Sequence, residues 1–415
     1  MKKVGKSIIR FFLVWMLIFG ISNCAKKETS TPVSPSPDIS TPSNMDKNPF
    51  YTFPYMDENP FYTLLWSAFI ESTSIHNSIS QPLIDQNILV FTKTSPAENF
   101  AFLYGLDIDT GKTLWKEQLK QGGMWGGVIW NGTLFFGGTH LYAYDVKSGK
   151  ELWSIPSKGE ISYSAPALSD STLFACKYLP NDYRRKYGSS ESRIKDSMVA
   201  VDAKTGEILW EKNIEDGLVN APAIGNGLVY FGTFDGHFYA LEAETGIERW
   251  KIKKPDWRIT ATPAVDDENV YLVSWKDADD SVYALDAFTG KERWIFTPSS
   301  ILKIDEDINM DKSTPVLSEG ILFVSARPSY LGVVFAIQSK TGSMVWKSMP
   351  LDGSLETPTI AQNKVYVGSL YALDVDTGEA YKVNIKTEAQ TTITAYEDKV
   401  FIGDSYGAIH ALQEK

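Results

Sequence analysis

Asp305, Asp307, Asn309 and Asp311 alternate along "KIDEDINMDKS" (303–313), the spacing that a calcium loop uses for its oxygen ligands. Two parts of such a loop are missing. Met310 stands where the sharp turn needs Gly, and no Glu follows at the place of the bidentate ligand. The stretch reads first as an acidic, solvated loop and second as a calcium site. Four His, at 76, 140, 237 and 410, are the remaining acid–base candidates, and none belongs to an H-E-x-x-H pair; a P-loop and a nucleophile elbow are also lacking. His140 and His237 share one slot of an internal repeat, three residues before a small residue, and are expected in turns. Two Cys, at 24 and 176, are too few and too distant for a disulfide framework or a Cys-based zinc site. Cys176 is expected to be a buried small residue. No catalytic residue, metal or cofactor is assigned.

Two other features can carry recognition. The insertion "KYLPNDYRRKYGSSESRIKDS" (177–197) interleaves Tyr183 and Tyr187 with Arg184 and Arg185 in a chain of net charge −11. Tyr and Arg are favoured at interface hot spots, and a solvated loop is the plainer alternative. Trp125 in "GGMWGG" and Trp257, followed by Arg258, in "KPDWRIT" lie outside the repeat motif. Each can stack on a sugar or a partner side chain, or simply pack at a rim.

These residues must be held by something, and the sequence says what. "YGLDIDTGKTLW" (104–115), "YAYDVKSGKELW" (142–153), "VAVDAKTGEILW" (199–210), "YALEAETGIERW" (239–250), "YALDAFTGKERW" (283–294), "FAIQSKTGSMVW" (335–346) and "YALDVDTGEAYK" (371–382) are copies of one motif. Their glycines are Gly111, Gly149, Gly206, Gly246, Gly290, Gly342 and Gly378, a base period near 40 residues with two insertions. Upstream of each lies an element such as "APAIGNGLVYFG" (221–232) or "TPTIAQNKVYVG" (357–368). Its short β-branched and aromatic runs, bounded by Gly, Asn and Asp, are too short for helices and read as strands. Within the motif, Asp can accept backbone N–H bonds while Gly supplies a positive φ, so D-x-x-T-G is a tight turn between strands.

Naming the strands of one repeat A to D, the last repeat, "TTITAYEDKVFIG…GAIHALQEK", has A, B and C only. "TLLWSAF" (63–69) is a D strand without its A, B and C. The two chain segments complete one blade, which removes the unpaired edges an open array would leave. The expected fold is therefore all-β, an eight-bladed propeller of four-stranded blades over residues 62–415, closed by the N-terminal strand.

The pattern A-x-D-x-x-T-G-x-x-x-W resembles the tryptophan-docking motif of quinoprotein-type (PQQ-like repeat) eight-bladed propellers. The resemblance implies that Trp66, Trp115, Trp153, Trp210, Trp250, Trp294 and Trp346 pack between blades as core, and it makes the seven motif glycines structural docking residues with them. It is specific for fold and weak for function, because one propeller hosts many functions.

Lys2, Lys3, Lys6 and Arg10 precede an apolar run, Phe11 to Ile21, that is too short for a membrane span. The run suits a secretory signal, and "ISNC" resembles a bacterial lipobox, implying lipidation of Cys24 after cleavage of residues 1–23. An uncleaved anchor and an ordinary secreted protein are the alternatives. A lipid on Cys24 would place the chain outside the cytoplasm and tie it to a membrane without spanning it. By resemblance to Gram-negative lipoproteins, Ala25 favours the outer membrane, facing the periplasm; otherwise the protein belongs at the cell surface. Residues 24–61 are rich in Ser, Thr and Pro and are expected to be a tether containing a local duplication, "MDKNPFYTFPY" and "MDENPFYTLLW". The acidic balance argues against nucleic acid as a partner.

Three functions follow. Lipobox, tether and ring together resemble the propeller lipoproteins of the outer-membrane β-barrel assembly machinery, which implies a non-catalytic scaffold docked, as a monomeric ring, on an envelope protein such as a β-barrel insertase. An extracytoplasmic module binding a polysaccharide or small molecule through Trp125 and Trp257 is the alternative. A quinone-dependent dehydrogenase is the third. That family sets a pair of adjacent Cys against its cofactor, and the sequence has no such pair.

Overall fold

Short runs rich in Val, Ile, Tyr and Phe, punctuated by tight turns, favour pleated, half-buried strands over helices. A computed structural model describes residues 62–415 apart from 71–77, 95–100, 120–125, 158–161, 179–195, 215–216, 218–219, 255–256, 275–279, 303–307, 311–312, 329–330, 353–356, 369–370, 384–392 and 405–406. The expected leader, Cys24 and the tether thus lie outside the described residues.

The strands form eight antiparallel blades in chain order: 78–118, 127–156, 162–214, 223–253, 264–296, 308–352, 359–382, and 394–414 joined by 62–69. These are blades 1 to 8. Blade 4 shows the plan: A is Ala223–Gly225, B is Leu228–Gly232, C is His237–Glu242 and D is Glu248–Lys253. Strands B and C are buried almost throughout, A is largely half-buried and D is mostly exposed. The A strands contact one another around the ring, so A lies innermost and D forms the outer rim. Among the described residues the apolar core divides into eight clusters, one between each pair of neighbouring blades. A ring assembled this way has no single centre of packing; its stability resides in the interfaces.

Closure occurs as the sequence implies. Strand D of blade 8, Tyr62–Phe69, pairs antiparallel with strand C, Ala408–Glu414, from Tyr62 opposite Glu414 to Phe69 opposite Ala408. Between blades 8 and 1, Thr394 Oγ1 donates to the Pro82 carbonyl across the junction at 2.5 Å.

Turn chemistry sets the two faces. Asn226–Gly227 and the A–B turns of blades 1, 2, 6 and 7 take positive φ at both central residues, as a two-residue hairpin twisted to match its strands requires. In the C–D turn of blade 5, Asp286 Oδ1 accepts the Thr289 N–H (2.9 Å) and hydroxyl (2.7 Å), and the Gly290 N–H bonds the Asp286 carbonyl at 2.9 Å. The Arg293 guanidinium, then Thr289, holds the Asp286 carboxyl below the usual range; at Asp202 and Asp374 the bonds from Thr205 and Thr377 do the same. A–B and C–D turns open on one face of the ring, B–C and D–A connections on the other.

Candidate functional site

Each motif Trp is a joint between blades. The indole Nε1–H of Trp66 donates to the Ile108 carbonyl of blade 1, and Trp115, Trp153, Trp210, Trp250, Trp294 and Trp346 donate to Val146, Ala203, Ala243, Ala287, Ser339 and Val375 of the next blade, all at 2.9–3.1 Å. The Gly and Trp that share a motif copy do not meet each other. Each ring instead lies against the motif glycine of the following blade: Trp66 on Gly111, Trp115 on Gly149, Trp153 on Gly206 and Trp210 on Gly246. Trp250 lies likewise on Gly290, Trp294 on Gly342 and Trp346 on Gly378. These seven glycines have φ of 68–73°, and a Cβ on any of them would stand 2.5–2.8 Å from the indole. Turn and stack both demand glycine there.

The Trp is aimed by a bulge. In every blade with a motif Trp, one extra residue is inserted into strand D just before it, so that Trp294, for example, faces Ala284 while Glu292 faces Leu285. A bulge re-aims the following side chain, here toward the neighbouring blade. The extra residues, among them Leu65, Leu114, Leu152, Leu209 and Val345, consequently point outward and are exposed. Blade 7 has neither the Trp nor the bulge; Ala372 faces Tyr381 in regular register.

The expectation that all seven Trp are core is corrected in degree. Trp66 and Trp346 are buried, whereas Trp115, Trp153, Trp210, Trp250 and Trp294 are half-buried. Strand D is the rim, so the outer indole edge meets solvent while the inner face stacks.

Of the recognition candidates, Trp125, Tyr183, Arg184, Arg185 and Tyr187 lie outside the described residues. The insertion is shorter than the sequence suggested: strand B of blade 3 continues to Tyr178 and strand C begins at Asp196. Lys177 belongs to the sheet and pairs with Glu211 at 2.9 Å. Trp257 does not offer its ring to a ligand. It is 3% exposed, its ring centroid lies 4.6 Å from that of Tyr283, and it fills the junction of blades 4 and 5. The D–A connection folds inward there, over Gly236, where a Cβ would strike the Lys254 and Trp257 carbonyls.

Among the described residues an exposed aromatic on this loop face is Phe234, for which no role was expected from the sequence. It sits in the B–C turn of blade 4, 47% exposed, with the Arg258 guanidinium 5.4 Å from its ring centroid. An apolar residue at a B–C turn tip, in "TFDGH", was the available signal. His140 and His237 do not sit in turns; they open strand C of blades 2 and 4. His237 Nδ1 is 2.9 Å from Asp235 Oδ2. Of the calcium candidates, Asp305, Asp307 and Asp311 lie outside the described residues, and Asn309 pairs in register with Arg327. Among the described residues no cluster of three His, Cys, Asp or Glu is arranged to hold a metal. Cys176 is fully buried, and desolvation raises its thiol pKa well above the ordinary value.

A Ser–His–Asp chain runs through blade 8. His410 Nε2 lies 2.9 Å from Asp404 Oδ2 and His410 Nδ1 lies 2.8 Å from Ser67 Oγ, while Asp404 Oδ1 accepts the Ala408 N–H at 2.8 Å. The connectivity is that of nucleophile, base and orienting acid. The surroundings are not: Ser67, His410 and Asp404 are 9, 2 and 0% exposed, and Ser67 faces His410 inside the closing strand pair. Buried within that pair, the chain acts as a polar latch between the two chain segments. A fluorophosphonate serine probe is expected to leave Ser67 unlabelled. His410→Ala, which strips partners from two buried groups, is expected to cost about 1–3 kcal/mol in denaturant unfolding, more than Ser67→Ala.

Residues 100–184, 195–304 and 278–415 match the family model described as outer membrane protein assembly factor BamB. A protein of that name from Moranella endobia is 24% identical over 281 residues, covering 65% of this chain and 69% of its own length. The dehydrogenase subunit of a quinone alcohol dehydrogenase from Gluconacetobacter polyoxogenes is 42% identical, but over 66 residues, 9% of that protein. The crystal structure of BamB from Moraxella catarrhalis superposes with a TM-score of 0.60 at 17% identity, covering 85% of this chain and 99% of that one. With the family model spanning most of the ring, the chain belongs to the family of the outer membrane protein assembly factor BamB.

Proposed function

We propose that this chain is a non-catalytic, extracytoplasmic scaffold, anchored through lipid on Cys24, that assists assembly of outer-membrane β-barrel proteins by docking on an envelope partner such as a barrel insertase. The observation that carries the reading is the extent of the family match, which runs from blade 1 to the final strand, against the single short segment shared with the quinone dehydrogenase. The docking surface is the loop face at blades 3 and 4. Phe234 and Arg258 stand exposed and half-exposed there, and strands B and C of the neighbouring blade 3 end and begin, at Tyr178 and Asp196, on either side of the basic sequence 179–195. An aromatic stacked with Arg is the composition that dominates binding energy at interfaces. The burial of Trp257 removes half of the aromatic rim that a glycan-binding alternative requires.

The test is a crosslinking pull-down of the native protein from its own membranes, read by mass spectrometry, for wild type, Phe234→Ala and a chain lacking 179–195. Recovery of a barrel insertase from wild type and its loss in either variant is the expected result. Wild type that recovers no barrel insertase refutes the assembly reading.

A further inference from the structure

At seven of the eight blade junctions an indole fills one slot. The slot has a small residue beneath it, as Gly105 lies under Trp115, and a main-chain acceptor and a Gly turn from the next blade beyond it. At the junction of blades 7 and 8, among the described residues, the indole and the Gly turn are both missing. Blade 7 carries no motif Trp and no bulge, and blade 8 carries no C–D turn, because its C and D strands come from opposite ends of the fold. The slot is left as a cavity of about 290 Å³. Its lining matches the empty joint residue for residue. Ala372 is the small floor residue, Tyr381 stands in the register position of the Trp, and Glu414 occupies the strand position equivalent to the acceptor Val375. Tyr62, from the closing strand, reaches in far enough for its hydroxyl to meet that of Tyr366 at 3.1 Å, and stops there.

We propose that this cleft is a docking site for one aromatic side chain, an indole in the first place, presented by a segment of a partner polypeptide that carries a basic residue beside it. Size favours a single side chain: the volume lies at the lower limit of ligand pockets, which run from ~300 to 1,000 Å³. Shape favours a flat aromatic ring, since the floor residue and the strand position facing it are those that flank an indole at the other seven junctions. Charge favours a basic neighbour. Asp374 and Glu414 line the cleft against one cation, Lys364, and that cation is already paired with Glu414. Bonds from Thr377 hold the Asp374 carboxyl below its ordinary range. The site is separate from the Phe234 face and lies in a different part of the ring, so it stands or falls independently of the assembly reading.

The experiment uses a short unstructured peptide with one diazirine-bearing Trp followed by Lys, titrated by anisotropy against the full chain and then photolysed. Saturable binding is expected, with adducts on Tyr62, on the A–B turn or strand B, C or D of blade 7, or on Glu414. Ala372→Leu, which raises the floor of the slot, is expected to weaken binding at least tenfold. A peptide with Ala in place of Trp is expected not to bind. Adducts elsewhere on the ring, or no saturation by about a millimolar, overturn the proposal using wild-type protein alone, whatever becomes of the folding of Ala372→Leu. N-acetyltryptophanamide that competes as well as the peptide overturns the partner-polypeptide assignment and makes the cleft a small-molecule site.

Discussion

Trp346→Ala is expected to lower the unfolding free energy by about 3–5 kcal/mol, among the largest single-residue losses in the ring. Trp346 is 8% exposed and packs with Phe323 at a centroid distance of 5.8 Å within the core between blades 6 and 7. Its Nε1–H satisfies the Val375 carbonyl at 2.9 Å, and Gly378 lies against its ring. Truncation leaves a cavity and an unpaired carbonyl at once, at a place where the bulge aims the side chain into the neighbouring blade. Trp153→Ala is expected to cost less, since that ring is half-buried and already meets solvent on one edge. Denaturant unfolding followed by circular dichroism gives both values. A Trp346→Ala loss below about 1 kcal/mol, or one no larger than that of Trp153→Ala, would refute the view that these joints hold the ring together.

Removing Tyr62–Phe69 is expected to abolish the monomeric native ring. The deletion uncovers the whole edge of Ala408–Glu414, takes away the Trp66 joint to Ile108 and leaves His410 without Ser67. An exposed, regular edge strand recruits another chain. Size-exclusion chromatography with light scattering should therefore show oligomer or aggregate in place of monomer. A synthetic peptide spanning 62–70 should restore the monomer, because it supplies the same edge without a covalent link. A truncated chain that stays monomeric and melts cooperatively at the wild-type temperature would show that seven complete blades suffice.

The ring was legible because its logic is local. The spacing of D-x-x-T-G and Trp marks a turn and a joint within twelve residues, and the incomplete repeats at 62–69 and 391–415 can be matched by counting strands. What the sequence concealed depends on contacts between distant residues. Gly111 and Trp115 are neighbours in the motif, yet each docks with a residue of a different blade, Gly111 with Trp66 and Trp115 with Gly149. Nothing local to Ser67, Asp404 or His410 announces a chain, because Ser67 meets His410 across 343 positions. Trp257 stood out as an aromatic outside the repeat motif, in a D–A connection, yet the connection turns inward and hides it against Tyr283. The copy at 371–382 lacks the Trp, and the strand pairing accounts for it. Blade 8 has no C–D turn, so a Trp on strand D of blade 7 would have no motif glycine to stack on.

The closing strand also imposes an order in time. Tyr62–Phe69 is made early and finds its partner only when Ala408–Glu414 has been synthesised and has reached the same compartment. Blades 1 to 7 can form as their residues emerge, because each is built from contiguous chain, but the last step joins segments at the greatest sequence separation in the fold. Such a loop is slow to close, and long-range strand pairing lengthens the lifetime of the open state. Through that interval the chain presents a bare β edge and an unseated Trp66, the features most prone to aggregation. Demand for a periplasmic or extracellular holding chaperone should therefore concentrate in the moment before closure, and substitutions that weaken the seam should lower the yield of folded protein more than they lower its melting temperature.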